Sequence, residues 1–498
     1  MSWRLEGRKL MDAACPVAVA SQPSSNRRLS IPLCVDLDGT LLKSDLLLEG
    51  VLRLLKSNLR ALLWLPVWLA RGKTALKAEV AARTDSNPAL CPVHEPFLEW
   101  LSAQRRAGRR LVLCTAASRV VAEKVASRFG LFDDIMSSDE STNLAGEAKA
   151  ARLVHEFGER GFDYAGNETR DLQIFAHARN AIIVAPSWLL ARRIKHVARV
   201  EQVFPGPTQR LRSWLRAARL HQWLKNLLIF VPVVAAQKQL DWQVWSSVAV
   251  AFLAFSLCAS ATYIVNDLLD LEADRAHPRK RLRPFAACDL PISHGLVAAL
   301  VLGLLGFGIA AFLPPLFLVT LTLYVAGTLW YSTVLKRLPM VDALALAGLY
   351  TLRILAGSAA TYILPSFWLL AFSMFLFLSL ATAKRYTELR SLQEKGSKRA
   401  AGRGYTIDDL PLVLACGVGA GYISVLVLAL YVYSAAGVLY SRGALLWLIC
   451  PLLLYWISRV WLKTHRGQLH DDPIVFAVTD RPSLITFAAA CVCVALAV

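Results

Sequence analysis

Charged residues are scarce in this chain of 498 amino acids: Asp, Glu, Lys and Arg make up 18% of it, whereas 56% of the residues are hydrophobic. The mean hydropathy is +0.45. This composition excludes an ordinary soluble enzyme and indicates a membrane protein. The apolarity is uneven, because residues 1–200 have a mixed globular composition and the long uncharged stretches begin near Leu227. Two domains are therefore predicted.

Paired cysteines are also lacking. The ten Cys residues are scattered, several lie in apolar segments, and none forms a CxxC pair or a zinc-like spacing. This pattern favours a reduced compartment. Residues 1–30 contain only a very short apolar centre, interrupted by Pro16, so they are interpreted as a flexible tail, and no cleaved signal is assumed.

The net charge of +19 raises the possibility of nucleic acid binding, which we set aside because basic residues of polytopic membrane proteins collect in cytoplasmic loops. Nine apolar stretches of spanning length are predicted, near 224–240, 245–265, 292–312, 315–333, 341–361, 365–383, 411–433, 444–462 and 484–498. Most Lys and Arg lie in the loops after even-numbered spans. This asymmetry predicts a multi-pass membrane protein with these loops and the N-terminal domain on the cytoplasmic side.

A basic segment precedes the first predicted span. Within RLRSWLRAARLHQWLKN at 210–226, Arg residues alternate with Leu and Trp, as in a helix that lies at a membrane interface. The same cations could instead bind a phosphate headgroup, and both interpretations stay open. Residues 201–223 are assigned to this linker and interfacial helix.

The most informative run is NDLLDLEADRAHPRKRLRP at 266–284. On a helix, Asn266, Asp267, Asp270 and Asp274 would share one face. Mg²⁺ is usually bound by a few carboxylates together with phosphate oxygens, so this face predicts a magnesium site for a phosphorylated substrate. Cations that suit a polyanion follow: His277, Lys280, Arg281 and Arg283. The alternative is a solvated basic loop.

Two ionisable residues are predicted within the fifth span. Asp342 and Arg353 are eleven residues apart, roughly 16 Å along a helix, which is too far for a direct salt bridge. Asp342 could reach the metal site, and Arg353, one turn from Tyr350, would face a deeper cavity. The alternative for both is a structural polar contact between helices.

NDLLDLEADRAHP resembles the first aspartate-rich motif of the UbiA superfamily of intramembrane prenyltransferases. Its extension HPRKRLRP, with RLHQWLKN at 219–226, the segment 331–357, KRYTEL at 384–389 and the run 471–483, resembles the decaprenyl-phosphate phosphoribosyltransferase branch. This resemblance implies an all-α membrane bundle over 224–498. It also implies transfer of ribose 5-phosphate from phosphoribosyl pyrophosphate to a polyprenyl phosphate, with Mg²⁺ as cofactor and Asp267 and Asp270 as catalytic residues.

The second DxxxD motif of typical aromatic prenyltransferases is missing, and the loop after the sixth span carries Lys384 and Arg385 instead. Cations there would favour the 5-phosphate of the sugar donor over a second metal ion. Further substrate-binding candidates are Lys225, Asn226, Tyr331, Lys336, Asp342, Tyr350, Arg353, Glu388 and Arg403. The alternatives are prenyl transfer to an aromatic acceptor and a membrane scaffold without catalysis. A homo-oligomer is possible.

Residues 31–40, IPLCVDLDGT, are an apolar run that ends in a DxD pair. They resemble the first motif of the haloacid dehalogenase superfamily, which implies a doubly wound α/β domain over 31–200 with a helical cap at about 42–108. Asp36 would be the nucleophile and Asp38 the general acid/base. The further motifs imply Thr115 and Lys149 as phosphate-binding residues, and Asp171 as a metal ligand beside Asp36 and Asp38.

The fourth motif departs from the family, because Asn167 follows Gly166 where the family has Asp. The domain is therefore an active phosphatase with weakened metal binding or a metal-poor structural domain; a phosphatase would remove the 5-phosphate of the transferase product. Within the cap, LLWLPVWLA at 62–70 is too short to span a membrane. It is predicted to form the cap core, although Trp64 and Trp68 leave a membrane contact open.

Overall fold

The computed structural model describes residues 31–84, 90–138, 143–207, 210–237, 241–394, 396, 403–434, 440–469 and 473–498. The predicted tail 1–30 and the start of the 471–483 run lie outside the described residues. The chain forms two compact units. The first contains the described residues up to Gly50 together with 62–207, and the second contains 51–61 and the residues from 208 to 498. Residues 51–61, which the sequence places in the cap, therefore pack with the helical unit.

The first unit is built on a parallel sheet in the order β3-β2-β1-β4-β5-β6. Its strands are β1 (Leu33–Val35), β2 (Leu111–Ser118), β3 (Asp134–Ser138), β4 (Asp163–Gly166), β5 (Ala181–Val184) and β6 (Val200–Phe204). Leu33 in β1 is in register with Leu111 in β2 and Asp163 in β4. The carboxyl ends of these three strands consequently meet at one edge, which is where motifs that end parallel strands form sites.

Helices cover both faces of the sheet, which confirms the predicted doubly wound α/β fold. The helices in chain order are α1 (Leu46–Ser57), α2 (Ala61–Ala70), α3 (Lys73–Arg83), α4 (Glu95–Arg106), α5 (Arg119–Phe129), α6 (Glu147–Phe157), α7 (Leu172–His177) and α8 (Trp188–Val197). Of these, α4 and α5 pack on one face of the sheet, and α6, α7 and α8 pack on the other. Alternate residues of β1 enter opposite cores: Leu33 and Val35 pack on one face and Cys34 on the other. Since β1 is buried on both faces, its sequence is a continuous apolar run.

The second unit is helical. Its helices are α9 (Arg210–Ala217), α10 (Val231–Ala235), α11 (Trp242–Leu269), α12 (Leu271–Ala276), α13 (Ile292–Ala310), α14 (Pro315–Thr333), α15 (Val341–Thr361), α16 (Phe367–Glu394), α17 (Leu410–Ser434), α18 (Ile449–His465), α19 (Pro473–Thr479) and α20 (Arg481–Ala497). Seven helical segments among the described residues are long and apolar enough to cross a membrane, and they contain α11, α13, α14, α15, α16, α17 and α18. The protein is therefore a multi-pass membrane protein.

The predicted nine spans include two segments that differ from these seven helices. The segment 224–240 does not form one helix, because a 3₁₀ segment, Leu220–Phe230, leads into the short α10. This segment packs closely on α15: a Cβ added to Gly357 would lie 1.9 Å from the carbonyl oxygen of Ile229. The last predicted span is α20, an apolar helix of 17 residues.

Helix α2 differs from its prediction. The sequence 62–70 is interpreted above as cap core, yet most of its large apolar side chains are exposed, and only Trp68 is well buried, at 6% exposure. The guanidinium of Arg83 lies 4.9 Å from the centre of the Trp68 ring. The prediction is wrong because α2 is apolar around its whole circumference, so burying one side necessarily leaves apolar side chains in contact with the surroundings.

Candidate active sites

A cavity of about 1140 Å³ opens within the second unit, larger than most small-molecule sites. Its lining contains thirteen Lys and Arg residues against four Asp and Glu residues. A lining with this excess of positive charge suits a ligand with several phosphate groups. The cavity contains both the acidic run at the end of α11 and the basic residues at the end of α16.

Asp267 and Asp274 share one cationic partner in this cavity. The Nη1 atom of Arg283 lies 3.1 Å from Oδ1 of Asp267 and 2.7 Å from Oδ2 of Asp274. Arg219 also donates to Asp267. The guanidinium thus occupies a position between two carboxylates, where a divalent cation with two protein ligands would fit, and substrate phosphates would complete its coordination. Asp267 and Asp274 therefore suit magnesium.

Asp270 does not join Asp267 and Asp274 and is bound by two lysines instead. Helix α11 ends at Leu269 and α12 begins at Leu271, with Asp270 between them at φ −100° and ψ 12°. Both oxygens of Asp270 accept from the Lys336 ammonium, at 3.0 and 2.9 Å, and Lys56 donates at 2.8 Å. Burial acts to raise the pKa of Asp270, but the hydrogen bond from Lys56 and the charge of Lys336 outweigh it and lower the pKa.

The continuous helical face predicted for the acidic run is consequently interrupted. Among the described residues, no group of three His, Cys, Asp or Glu side chains converges as a metal site. Asp267 and Asp274 come together through Arg283, Asn266 also lines the cavity, and Asp270 instead holds two lysines. The break between α11 and α12 is the reason that the four side chains do not form one set.

Arg353 lies deep in the cavity with neutral partners. Its guanidinium donates to Oδ1 of Asn226 at 2.9 Å, to the hydroxyl of Tyr324 at 3.1 Å and to the carbonyl of Leu349 at 2.6 Å. It also lies 5.4 Å from the Tyr350 ring centre. Within the described part of the chain no carboxylate forms an ion pair with Arg353. A buried cation that lines a cavity without a counter-ion is a strong candidate for binding an anionic ligand.

Arg385 lies in a different environment. It forms ion pairs with Asp342 and Glu388 and donates to the hydroxyl of Tyr331 at 2.8 Å. Arg403 reaches the same two carboxylates. Although Arg385 lines the cavity, much of its charge is therefore neutralised before any ligand binds.

Asp342 does not reach the metal site as the sequence suggested. It is completely buried, does not line the cavity and accepts a 2.6 Å hydrogen bond from Tyr405. Because α15 turns this carboxylate towards α16, it orients Arg385 and Arg403.

The other predicted substrate-binding residues divide into two groups. Those that line the cavity are Lys225, Lys280, Tyr331, Lys336, Tyr350, Lys384, Glu388 and Arg403. Three predicted residues do not line it. Arg281 is exposed, Asn226 acts through Arg353, and the Nδ1 atom of His277 accepts from the backbone amides of Arg279 and Lys280, so it shapes the turn.

Sequence reasoning missed two cations at this site. Arg219 belongs to the basic segment that the sequence interprets either as an interfacial helix or as a headgroup-binding one. In the structure it has a left-handed backbone, at φ 50°, and its guanidinium pairs with Asp267. Lys56 carried no signal, because it is 214 positions from its partner Asp270 in the sequence.

In the first unit, Asp36 directly after β1, Thr115 in β2 and Lys149 on α6 lie close together. The Lys149 ammonium lies 2.6 Å from Oδ1 of Asp36 and 3.2 Å from the carbonyl of Cys114. Oγ1 of Thr115 accepts from the amide of Ala117 at 3.0 Å, so its own proton can be donated to a phosphate oxygen. The phosphate-binding roles of Thr115 and Lys149 stay a prediction.

Two further carboxylates lie beside them, the half-buried Asp38 and the buried Asp171. Oδ1 of Asp38 accepts from the amide of Leu46 at 3.0 Å, and burial together with the charge of Asp45 raises the pKa of Asp38 to about 8. Burial and the charge of Asp36 raise the pKa of Asp171 to about 7. Carboxylates whose ionisation is opposed by burial and by the charge of a neighbouring carboxylate suit a divalent cation, which would stabilise their charged forms.

Asn167, at the position of the usual Asp, is engaged in a local contact: its Oδ1 accepts from Oγ1 of Thr40 at 3.1 Å. Its backbone amide donates to Oδ2 of Asp171 at 3.0 Å. The chain therefore keeps three of the acidic side chains expected around the metal and replaces the fourth by a group that stabilises the loop.

Lys77 was not predicted. It projects from α3 and donates to the carbonyl of Ala116 at 2.8 Å and to Oδ1 of Asn143 at 3.0 Å. The first contact fixes its ammonium one residue from Thr115. Burial lowers the pKa of Lys77, opposed by the charges of Asp38 and Asp45, so the cation faces the acidic site. No motif marks it, because it is one of many basic residues in the cap.

Comparison with known proteins supports both units. The family model for the UbiA prenyltransferase family matches residues 227–497, and the model for haloacid dehalogenase-like hydrolase matches residues 33–175. A protein of Sinorhizobium fredii named uncharacterized protein y4nM is 38% identical over 91% of this chain and 88% of its own length.

Two other relatives match less of the chain. Nodulation protein NoeC of Azorhizobium caulinodans is 38% identical over 55% of this chain and 89% of its own length. A decaprenyl-phosphate phosphoribosyltransferase of Mycobacterium tuberculosis is 36% identical over 42% and 70%, respectively. Among solved structures, a UbiA homolog from Archaeoglobus fulgidus bound to DMAPP and Mg²⁺ has a TM-score of 0.45 at 16% identity, over 57% of this chain and 99% of that one. The chain belongs to the UbiA prenyltransferase family and carries a haloacid dehalogenase-like domain at its N-terminus.

Proposed function

We propose that the helical unit transfers ribose 5-phosphate from phosphoribosyl pyrophosphate to a polyprenyl phosphate and releases pyrophosphate. The observation that carries this proposal is the uneven charge of the cavity, in which the carboxylates of Asp267 and Asp274 lie together in a lining where cations outnumber acidic residues thirteen to four. A donor with a diphosphate at one end and a phosphate at the other needs such a site. The relatives named decaprenyl-phosphate phosphoribosyltransferase support this substrate class.

In this reaction the bond between ribose C1 and the diphosphate oxygen breaks, and a phosphate oxygen of the lipid forms a new bond to C1. Magnesium, held by Asp267 and Asp274, would stabilise the negative charge of the departing diphosphate. Arg283 and Arg219 would then exchange their carboxylate partners for diphosphate oxygens, because both already lie at the acidic pair.

The two remaining anions have separate cations. The lipid phosphate would bind beside Arg353 and Lys225, the deep and largely buried cations of the cavity, with its tail between the apolar helices. The 5-phosphate of the donor would bind at Lys384, where Asp342 and Glu388 hold the neighbouring Arg385 in place. This division gives every phosphate of the two substrates a positive partner.

The N-terminal domain would then remove the 5-phosphate from the lipid product on the cytoplasmic side of the bacterial inner membrane. Asp36 attacks phosphorus, and the sugar oxygen leaves with a proton donated by Asp38 as general acid. Water then hydrolyses the aspartyl phosphate and releases inorganic phosphate. A bound magnesium ion near Asp36, Asp38 and Asp171 would neutralise the transferring group, while Lys149 would hold Asp36 in position.

The test uses the full-length protein in nanodiscs with magnesium, phosphoribosyl pyrophosphate and decaprenyl phosphate. The expected result is formation of pyrophosphate together with a lipid-linked pentose, and loss of both products in Asp267→Asn. Arg281→Gln, which changes an exposed cation outside the cavity, should retain activity. If the protein forms neither product and instead consumes a prenyl diphosphate with an aromatic acceptor, prenyl transfer is the correct function.

A further inference from the structure

Helix α2 presents an unusual apolar surface. Its ten residues, ALLWLPVWLA, contain no charged or hydrogen-bonding side chain apart from the two indoles. The exposed side chains and their exposed fractions are Leu62 59%, Leu63 76%, Trp64 56%, Val67 39% and Leu69 54%. Contiguous apolar patches of this kind mark surfaces that meet a partner or a membrane.

The charges that flank α2 in the sequence are of one sign. Between Glu49 and Glu79 the chain has no acidic residue and six basic ones: Arg53, Lys56, Arg60, Arg71, Lys73 and Lys77. Arg60 and Arg71, which flank the helix at its two ends, are both exposed. An apolar helix between exposed cations complements the surface of an anionic bilayer, in which acyl chains lie beneath negative headgroups.

The length of α2 decides how it could meet a bilayer. Ten helical residues extend about 15 Å, half of the hydrocarbon thickness, so the helix cannot span. Trp64 suits the interface, because an indole is apolar but carries a polar N–H. A helix of this length and composition would lie parallel to the membrane plane.

The segment of chain that leads into α2 belongs to the helical unit. Residues 51–61 belong to the helical unit, where Arg53 pairs with Glu272 and Lys56 with Asp270, just beyond the end of α11. Since α11 is a spanning helix that ends at Leu269, these ion pairs lie where the chain leaves the membrane. Ala61, the first residue of α2, is five positions after Lys56.

We propose that α2 is an interfacial membrane anchor, with its Leu and Trp side chains among the acyl chains and Arg60 and Arg71 at anionic headgroups. The anchor would hold the following helix α3, and with it Lys77, close to the membrane surface. A lipid-linked phosphate would be presented there, and this use of the anchor rests on the proposed function. The insertion itself does not depend on it.

The test places a photo-crosslinking amino acid, benzoylphenylalanine, in the full-length protein in nanodiscs that contain phosphatidylglycerol. The probe replaces Leu63 in one variant and Val120 in the control, since Val120 is a similarly exposed aliphatic residue, at 63%, on α5. The expected result is a lipid adduct at position 63 at several times the level at position 120. Equal adducts at the two positions, or adducts of position 63 with protein, would overturn the proposal.

A second pair of variants tests the charge. Arg60→Glu combined with Arg71→Glu should lower the lipid adduct at position 63 several-fold. Arg193→Glu combined with Lys195→Glu reverses two exposed cations on α8 and should leave the adduct unchanged. Neither crosslinking measurement requires the protein to be catalytically active. A protein that forms the adduct but transfers no pentose would retain the anchor and contradict only the proposed function.

Discussion

Asp342 on α15 and Arg385 on α16 form an ion pair whose side chains are almost completely buried, at 0% and 2% exposure. Two charges that are withdrawn from water are stable only when each keeps its partner. The pair therefore joins two spanning helices and fixes the guanidinium at the edge of the cavity.

Removal of Asp342 should destabilise the helical unit strongly. For Asp342→Asn we expect a loss of about 3 kcal/mol, at the lower end for a broken buried pair because Glu388 remains beside Arg385. The measurement is thermal unfolding of the full-length protein in detergent. Glu394→Gln is the matched control, because it breaks the more exposed pair with Arg390 and should cost less than about 1 kcal/mol. Equal decreases in Tm in the two variants would show that the buried pair contributes no more to stability than the exposed pair.

Arg283 should matter for both metal and donor. Arg283→Gln leaves Asp267 and Asp274 with less positive charge, so Mg²⁺ alone should bind more tightly, while the KM for phosphoribosyl pyrophosphate should rise about tenfold or more through loss of a charged hydrogen bond. Titration with Mn²⁺ as a spectroscopic probe and steady-state kinetics measure the two effects. Arg281→Gln should change neither quantity. If Arg283→Gln instead weakens metal binding, the Arg283 guanidinium does not occupy the position of the metal ion.

The buried charge of Arg353 should lower the stability of the helical unit and strengthen binding of the lipid acceptor. Arg353→Met removes a buried cation that has no carboxylate partner among the described residues, so we expect an unchanged or higher Tm together with a large rise in KM for the lipid acceptor. The KM for the sugar donor should change little. If the variant unfolds at lower temperature and the acceptor KM stays the same, Arg353 is a structural residue only.

Lys77 should act in the phosphatase step alone. Lys77→Met is expected to raise the KM for the phosphorylated lipid about tenfold, since its ammonium lies beside the Thr115 loop, and to leave the rate of pentose transfer unchanged. Arg83→Gln changes a cation on the same helix that pairs with Glu79 and should have no effect. An equal effect of the two variants on the phosphatase step would mean that α3 contributes only through its general charge.

His94 gives the first unit a pH dependence. Burial and the charge of Lys43 lower its pKa to about 4, whereas an unfolded chain has a value near 6.5. Between about pH 6.5 and pH 4, His94 is protonated in the unfolded state but neutral in the folded state. The free energy of unfolding therefore decreases progressively as the pH falls through this range, by at most about 3 kcal/mol. Pulse proteolysis in urea at pH 7 and pH 5 measures the change. His94→Asn keeps a good helix N-cap and should show a smaller decrease.

Much of the fold could be predicted from local pattern. The apolar run before Asp36 predicted a buried parallel strand, and the long apolar stretches predicted the spanning helices. Periodicity failed at Asp270, because one helix ends and another begins there, and this break depends on packing rather than on spacing.

The contacts that complete the sites were beyond sequence reasoning for a different reason. Lys56 meets Asp270 across 214 positions, and Arg385 meets Asp342 across the interface of two helices, so neither pair leaves a local signal. The composition of α2 was visible, but whether such a helix is buried depends on what packs beside it. Candidate catalytic residues could be predicted where one short motif contains them, as with Asp36 and Asp38, because neighbours in sequence are also neighbours in space.

The most direct measurement of the central claim is mass spectrometry of the lipid products made by wild-type protein and by Asp36→Asn from phosphoribosyl pyrophosphate and decaprenyl phosphate. The account predicts a lipid-linked pentose without the 5-phosphate from the wild type, and accumulation of the lipid-linked pentose phosphate in the variant. Identical products from the two proteins would contradict the phosphatase step. Absence of any lipid-linked pentose from both would contradict the transfer itself.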